Sequence, residues 1–360
     1  MPLISPSDYR SPAHLWNGHL QTIVPALFRK VDVPYVRERI ETPDDDFLDL
    51  DWSFSGVKSL ELRVKTGPPG GLELDAELLS GFGSEKLLTA RRPGLNSKFL
   101  TILSHGLEGD SRRQYLAGMV RHLTANGFDC LAWHYRSCSG EMNRQTRFYH
   151  LGETTDLQLV IDYALQKGYE RINLLGFSAG GNITLKYLGE QGQAIHPAIQ
   201  RAVVFSVPLH LTTASRRLEA WDSQIYNKRF NRTLKRKVFE KAALIPGTIQ
   251  TEGLQKVRTL REFDNLFTAR LHGFRDAEDY YEKSSSLQYL DKIAVPTLVV
   301  NAKNDPFLSR ECFPEELARQ LPHVWMEFPA EGGHCGFTPV GRNKTVYWSE
   351  QRALRFLREE

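Results

Sequence analysis

The sequence predicts an α/β fold built on a mostly parallel β-sheet with helices on both faces. Short apolar runs typical of buried strands alternate with segments that have helical apolar spacing. The predicted strands are residues 99–103, 128–135, 172–175, 202–207, 297–301 and 324–328. The predicted helices are residues 114–124, 155–166, 182–190, 310–320 and 345–357. This alternation indicates parallel strands joined by right-handed crossovers.

The residues before this pattern predict a helix and one antiparallel strand. Residues 14–30 place Trp16, Leu20, Ile23 and Leu27 on one helical stripe, which we expect to pack on the core. Residues 47–54 alternate at period two and predict an antiparallel strand at the edge of the sheet. The turn-rich residues 57–97 predict a surface excursion with a hairpin and indicate no chemistry.

The sequence divides into a core and two additions. Residues 47–207 and 296–360 form the predicted core, and residues 1–46 form a segment that wraps around it. Residues 208–295 separate two late strands, and we expect them to form a helical cap over the ligand site. In parallel sheets that site lies beyond the carboxyl ends of the strands.

Composition is ordinary for a globular protein of 360 residues. A formal charge of +3 does not indicate nucleic-acid binding, and no apolar run approaches the length of a membrane span. The start of the chain lacks the pattern of a signal peptide. The four cysteines form neither a CxxC pair nor a zinc spacing. We therefore expect free thiols in a cytoplasmic protein.

Ser178 is the predicted nucleophile. It lies within Gly176-Phe-Ser-Ala-Gly180, between a predicted strand and a predicted helix. The two glycines permit a tight turn, which would present the serine hydroxyl at its tip beside a helix N-terminus. A small-residue turn with an incidental serine is the alternative, and the flanking strand and helix argue against it.

Two further strand ends supply partners for this serine. Asp305 follows the strand at 297–301, and His334 lies in a glycine-rich loop after the strand at 324–328. His334 would accept the serine proton, and Asp305 would orient the imidazole. The chain order Ser178, Asp305, His334 is the one expected in α/β-hydrolases.

Backbone amides complete the predicted site. The His105-Gly106 turn after the first core strand would aim the N–H of Leu107 into the site. Ala179, which follows the nucleophile, would supply the second N–H of an oxyanion hole. His105 itself is expected to hold its loop. Cys138 and Cys335 are expected to pack in the interior.

Several longer motifs resemble the YheT-like branch of the α/β-hydrolases over nearly the whole chain. They are His19-Leu-Gln-Thr22, Asp46-Phe-Leu-Asp-Leu-Asp-Trp52, the seven residues from His105 to Ser111, Arg136-Ser-Cys-Ser-Gly140, Arg147-Phe-Tyr-His-Leu-Gly152 and Gly176-Phe-Ser-Ala-Gly-Gly-Asn182. The resemblance implies that Ser178, Asp305 and His334 are charge-relay residues acting on short- or medium-chain acyl esters. Residues 57–97 depart from it, because they are longer than the expected link between strands.

Two basic regions have alternative interpretations. The blocks containing Arg136 and Arg147 could bind a substrate head group, although buried arginines more often hold loops, which is the interpretation we favour. In the cap, Phe230, Leu234, Val238 and Ala242 form an apolar helical stripe. Seven basic residues share that helix, namely Lys228, Arg229, Arg232, Lys235, Arg236, Lys237 and Lys241. This face could contact an anionic membrane, while a solvated face is the default.

The sequence therefore predicts a serine esterase that forms an acyl-enzyme on ester or lipid substrates, with no metal or organic cofactor. Two alternatives remain open. The acyl group could pass to an alcohol, which would make the chain an acyltransferase. The chain could also be a binding protein on a hydrolase fold, but a complete triad argues against this.

Overall fold

A computed structural model describes residues 3–56, 99–339 and 345–358 of the chain. The turn-rich segment 57–97, for which the sequence predicts a surface hairpin, lies outside these residues.

The described residues contain a nine-stranded sheet. Its strands are β1 (Leu3–Ile4), β2 (Val36–Thr42), β3 (Asp46–Ser53), β4 (Phe99–Ser104), β5 (Asp129–Trp133), β6 (Arg171–Phe177), β7 (Ile199–Phe205), β8 (Thr297–Val300) and β9 (Val324–Glu327). Their spatial order is β1-β9-β8-β7-β6-β4-β5-β3-β2. Among the strands of the described residues, only the pairings β2–β3 and β3–β5 are antiparallel. The predicted α/β fold with a mostly parallel sheet is confirmed.

Helices connect the strands. Those in the first half of the chain are α1 (Gly18–Phe28), α2 (Gln114–Ala125), α3 (Thr155–Gln166) and α4 (Ala179–Gln191). Between β7 and β8 lie α5 (Leu211–Glu219), α6 (Gln224–Leu244), α7 (Leu260–Phe263), α8 (Ala269–Leu271) and α9 (Ala277–Ser284). Two follow β8, namely α10 (Glu315–Ala318) and α11 (Trp348–Arg358). The segment between β7 and β8, for which the sequence predicts a helical cap, therefore contains the five helices α5 to α9.

Both faces of the sheet are buried. Ile102 and Leu174 belong to the apolar cluster on one face, whereas their chain neighbours Leu103 and Leu175 belong to the cluster on the other. Successive side chains of a strand point to opposite faces. A strand covered on both sides must therefore be apolar at consecutive positions, as the sequence of these strands is.

Strand β3 is not at the edge of the sheet, so that prediction was wrong. It lies between β2 and β5, and all eight of its residues are buried. Its alternating acidic residues resemble a solvated face, but β2 supplies their partners. Arg37 contacts Asp51 at 2.7 Å, and Arg39 contacts Asp49 at 2.7 Å.

Helix α1 packs in the opposite orientation to the predicted one. Its buried residues are Gly18, Gln21, Thr22 and Pro25, whereas Trp16 and Leu27 of the apolar stripe are exposed. The helix begins after Asn17, whose side chain accepts a hydrogen bond from the amide of Leu20 at 2.8 Å. The apolar spacing correctly identified which residues of α1 share a face, but the opposite, polar face is the one that packs on the core.

The predicted helix at 310–320 is two short pieces. A 3₁₀ turn spans Arg310–Cys312, and α10 spans Glu315–Ala318. Pro314 stands between them, and proline disfavours helical backbone in the residue before it. Phe313 accordingly has ψ 61°, outside the helical range.

Arg136 is a structural residue of the core. Its guanidinium donates to Asp44, Asp46 and Asp156, each at 2.8 Å, and only 2% of its side chain is exposed. These bonds tie strands β3 and β5 to helix α3. Since carboxylates engage this guanidinium on three sides, the Arg136 block is scaffold, as favoured from the sequence.

Replacing Arg136 by methionine should lower the free energy of unfolding by about 3–5 kcal/mol, because three buried or half-buried carboxylates would lose their cation. Chemical denaturation of the two proteins measures the difference. The matched control is Arg144→Met, since Arg144 forms an exposed ion pair with Glu41 and its removal should leave stability nearly unchanged. Equal stability of the Arg136→Met protein and the wild type would contradict the scaffold role.

Candidate active site

Ser178 stands at the sharp turn between β6 and α4. Its backbone has φ 54° and ψ −119°, in a region that L-residues rarely occupy. The amide of Ser178 donates to the carbonyl of Phe205 at 2.8 Å, so the neighbouring strand β7 holds the strained residue in place. The turn leaves the hydroxyl at the carboxyl edge of the sheet.

Close approach of the backbone explains both glycines of the turn. A Cβ on Gly176 would lie 2.5 Å from the carbonyl oxygen of Gly180. A Cβ on Gly180 would lie 2.3 Å from the carbonyl oxygen of Ser104 on β4. The helix can therefore begin directly against the strands only if both positions lack a side chain.

Asp305 and His334 lie beside Ser178. Nδ1 of His334 is 2.8 Å from Oδ2 of Asp305, and Nε2 of His334 is 2.9 Å from Oγ of Ser178. Oδ1 of Asp305 also accepts from the amide of Phe307 at 2.8 Å, which fixes the carboxylate. The Phe307 ring stacks on the imidazole at 3.8 Å between centroids. The three residues thus form a continuous hydrogen-bonded chain.

The environment of His334 changes its affinity for a proton. Burial is the largest single effect and lowers the pKa of His334, but the charge of Asp305, its hydrogen bond to the imidazole and the nearby Cys335 together outweigh it, and the net direction is upward. The Asp305 side chain is fully buried and that of His334 is 9% exposed, so water screens this attraction weakly. The arrangement favours an imidazolium that has just accepted a proton.

The loop that carries His334 is held by helix α1, through residues to which the sequence gave no function. Oε1 of Gln21 accepts from the amide of Gly332 at 2.7 Å and from Nδ2 of Asn304 at 2.9 Å. Oγ1 of Thr22 accepts from the amide of His334 at 2.8 Å. The available signal was the His19-Leu-Gln-Thr22 motif, which the chain shares with the YheT-like branch.

Two backbone amides, those of Leu107 and Ala179, can face an oxyanion beside Ser178. The amides on either side of Leu107 are occupied, since Gly106 donates to the hydroxyl of Tyr115 at 3.0 Å and Glu108 to that of Tyr149 at 2.9 Å. Leu107 lines the cavity that contains Ser178. Ala179 is the first residue of α4, where the amide has no acceptor within the helix. His105 is buried and holds this loop, because its Nε2 accepts from the amide of Tyr135 at 3.2 Å.

A mostly apolar cavity opens above Ser178 and His334. The helices between β7 and β8 supply much of its wall. The apolar side chains that they contribute are Leu211, Leu218, Phe230, Leu234, Val238, Leu260, Phe263, Phe267 and Leu271. Three members of the predicted stripe on α6, Phe230, Leu234 and Val238, thus face this cavity.

Two histidines in the cavity wall other than His334 are held neutral. Burial lowers the pKa of His150 to about 4 and that of His272 to about 3. Lys237 also lines the cavity, but its ammonium group donates to Oε1 of Glu108 at 2.9 Å. The space beside Ser178 therefore suits an uncharged chain.

A second groove reaches Ser178 and His334 from outside. Ile23, Ala26 and Leu27 of α1 line one part of it, and Arg229 and Thr233 of α6 line another. We call this the entrance groove. A substrate can extend from the apolar cavity, past the serine hydroxyl, into this groove.

Comparison with known proteins shows the family. Residues 102–338 match the family model of the alpha/beta hydrolase fold. YheT, a suggested esterase of Escherichia coli (strain K12), is 33% identical over 340 residues, which cover 93% of this chain and 88% of YheT. The chain therefore belongs to the α/β-hydrolase family, in its YheT-like branch.

More distant relatives carry lipid-related names. A mouse protein named phospholipase ABHD3 is 27% identical, with 89% of this chain and 71% of that protein covered. A Saccharomyces cerevisiae monoacylglycerol lipase is 26% identical, with 96% and 79% covered. Among solved structures, an esterase of Pyrococcus furiosus matches with a TM-score of 0.53 at 16% identity, covering 90% of this chain and 91% of the esterase. That likeness supports the fold.

None of the helices in the described parts of the chain combines the length and the apolar character needed to cross a bilayer.

Replacing Thr22 by valine should reduce kcat about tenfold with little change in KM, because the amide of His334 would lose its acceptor and the imidazole its fixed position. Steady-state kinetics on a water-soluble ester would measure both constants. Thr22→Ser retains the hydroxyl and should keep near wild-type kcat. An unchanged kcat in Thr22→Val would contradict the role of α1 in positioning His334.

Replacing Asp305 by asparagine should lower the pKa of His334 and reduce kcat/KM by roughly 10⁴-fold. If neutral imidazole acts as the base, wild-type activity should increase with pH through the raised pKa of His334, at a midpoint above the ordinary value of about 6.5. In Asp305→Asn that midpoint should move to lower pH. Profiles of kcat/KM against pH measure both, and a midpoint that stayed or rose in the variant would contradict the assignment.

Proposed function

We propose that this protein hydrolyses carboxylic esters with Ser178 as nucleophile. The observation that carries the proposal is the hydrogen-bonded chain from Ser178 Oγ through His334 to Asp305. A serine alcohol is a weak nucleophile, and it attacks an ester carbonyl effectively only if a base removes its proton in the same step. His334 is within reach to do so, and Asp305 stabilises the resulting imidazolium.

The proposed reaction has two halves. Ser178 Oγ forms a bond to the ester carbonyl carbon, and the amides of Leu107 and Ala179 stabilise the negative oxygen. His334 then gives its proton to the leaving alcohol as the ester C–O bond breaks, which leaves an acyl group on Ser178. Water, deprotonated by His334, attacks the acyl-enzyme and releases the acid. Of the three triad residues, only Ser178 becomes covalently modified.

The two openings suggest how a substrate lies. The apolar cavity would take the acyl chain, since its lining is mostly aliphatic and aromatic. The entrance groove would take the alcohol portion, because it contains the polar side chains of Arg113, Arg229 and Thr233. The names of the relatives, which include a monoacylglycerol lipase and a phospholipase, support acyl esters as the class. We propose short or medium acyl chains within it.

Residues 208–295 act as a cap in this proposal. Their side chains cover the acyl chain and limit water to the path along the entrance groove. A partly closed cavity of this kind strengthens the electrostatic interactions around the developing oxyanion, because water screens them less. The cap thus contributes to the chemistry as well as to the choice of acyl group.

Replacing Ser178 by alanine should abolish ester hydrolysis and labelling by a fluorophosphonate probe, since the probe reacts with an activated serine. Peptide mass spectrometry of the labelled wild type should find the modification on Ser178. Ser215→Ala is the control, because Ser215 lines the same cavity but donates to the carbonyl of Thr212, and labelling should persist. Labelling of the Ser178→Ala protein at the wild-type rate would refute the proposal.

A further inference from the structure

Exposed large hydrophobic side chains are concentrated on two segments. Five of the seven such side chains in the described parts of the chain lie on α1, at the start of α6, or on the turns that precede these two helices. They are Trp16 (73% exposed), Leu27 (64%), Phe28 (75%), Trp221 (89%) and Ile225 (62%). Single exposed hydrophobic residues are normal, but a local concentration marks an interaction surface.

The two segments contact each other. The ring of His19 on α1 stacks on that of Tyr226 on α6, with centroids 5.8 Å apart and an interplanar angle of 4°. Nε2 of His19 lies 3.6 Å from a carboxylate oxygen of Asp222. Trp221 and Ile225 are the immediate chain neighbours of these two contacts. The exposed hydrophobic residues therefore lie around one junction, beside the entrance groove.

A positively charged stripe continues from this junction along α6. Ile225, Lys228, Arg229 and Arg232 follow each other at helical spacing, and all four are exposed. Within residues 3–56, 99–339 and 345–358, no carboxylate lies at ion-pair distance from the three cations. Three other basic residues of this helix face inward. Lys237 contacts Glu108, Lys241 is buried against Asn143, and Lys235 donates to Val257.

We propose that Trp16, Leu27, Trp221 and Ile225, together with Lys228, Arg229 and Arg232, dock this protein on an anionic lipid surface. We call these seven residues the docking face. Tryptophan favours the boundary between lipid head groups and acyl chains, where its ring is buried and its N–H stays hydrated. Cations beside it are attracted by the negative charge of the leaflet.

Charge favours a lipid surface over a second copy of the chain. In a symmetric dimer the same patch meets itself, so Lys228, Arg229 and Arg232 of one copy would face those of the other. An anionic leaflet offers opposite charge to all of them. The entrance groove opens beside the docking face, so an ester in the leaflet could reach Ser178 with little exposure to water. The binding itself does not depend on ester hydrolysis.

Vesicle sedimentation with the full-length protein tests the docking face. Wild type should bind phosphatidylcholine vesicles that contain about one-third phosphatidylglycerol, and should bind pure phosphatidylcholine vesicles more weakly. Lys228→Gln and Arg232→Gln should each weaken binding to the anionic vesicles roughly fivefold, with little effect on neutral vesicles. The double variant Trp16→Ser, Trp221→Ser should weaken binding to both.

The matched control is Leu244→Ser, because Leu244 is 65% exposed at the opposite end of the same helix and should not affect binding. All variants should hydrolyse a water-soluble ester at the wild-type rate, which shows that they are folded. If wild type hydrolyses no ester, circular dichroism replaces that check and the vesicle result still stands. The proposal is overturned if wild type does not bind anionic vesicles or if the substitutions leave binding unchanged. It is also overturned if light scattering shows a dimer that the tryptophan substitutions dissociate.

Discussion

The hydrogen bonds between helix α1 and the loop carrying His334 connect the fold, the site and the surface. Gln21 accepts from Gly332 and Asn304, and Thr22 accepts from His334 itself. These bonds are buried or partly buried, and leaving a buried donor without a partner would cost about 1–3 kcal/mol. That cost fixes which side of α1 faces inward. Close contact adds to it, because a Cβ on Gly18 would lie 1.9 Å from the carbonyl oxygen of Asn304.

The inward polar face of α1 explains its exposed apolar face. A helix turns about 100° per residue, so burying Gln21, Thr22 and Pro25 directs Leu20, Ile23 and Leu27 away from the core. An amphipathic helix on the surface of a globular protein ordinarily has the opposite orientation, with its apolar face on the core. Here the position of the loop that carries His334 outweighs the burial of a few hydrophobic side chains. The surface beside the entrance groove is thus a consequence of how His334 is held.

The alternation of strands and helices made the sheet predictable from the sequence, and the positions of strand ends made the three site residues predictable. Parallel strands bring their carboxyl ends to one edge, so Ser178, Asp305 and His334 could be expected to meet although 127 and 29 residues separate them in turn. Long-range partners were not predictable in this way. Apolar spacing indicates which residues share a face, but not which element covers it. For this reason the sequence predicts an edge position for β3 and a surface position for Lys237 and Lys241, although these lysines contact Glu108 and Asn143.

The same limit of local patterns applies to how a substrate would enter. Residues 18–28 and 224–244 are distant in sequence, yet His19 stacks on Tyr226 and joins the two helices beside the groove. Tyr226 also contacts the ring of Phe307, at 4.7 Å between centroids, and Phe307 in turn stacks on His334. Any shift of α6 relative to α1 would therefore alter the stack of His19 on Tyr226 and, through Phe307, the packing of His334. The contacts that line the entrance are therefore continuous with those that orient His334. A surface that engages α1 and α6 together would act on the site through this aromatic stack.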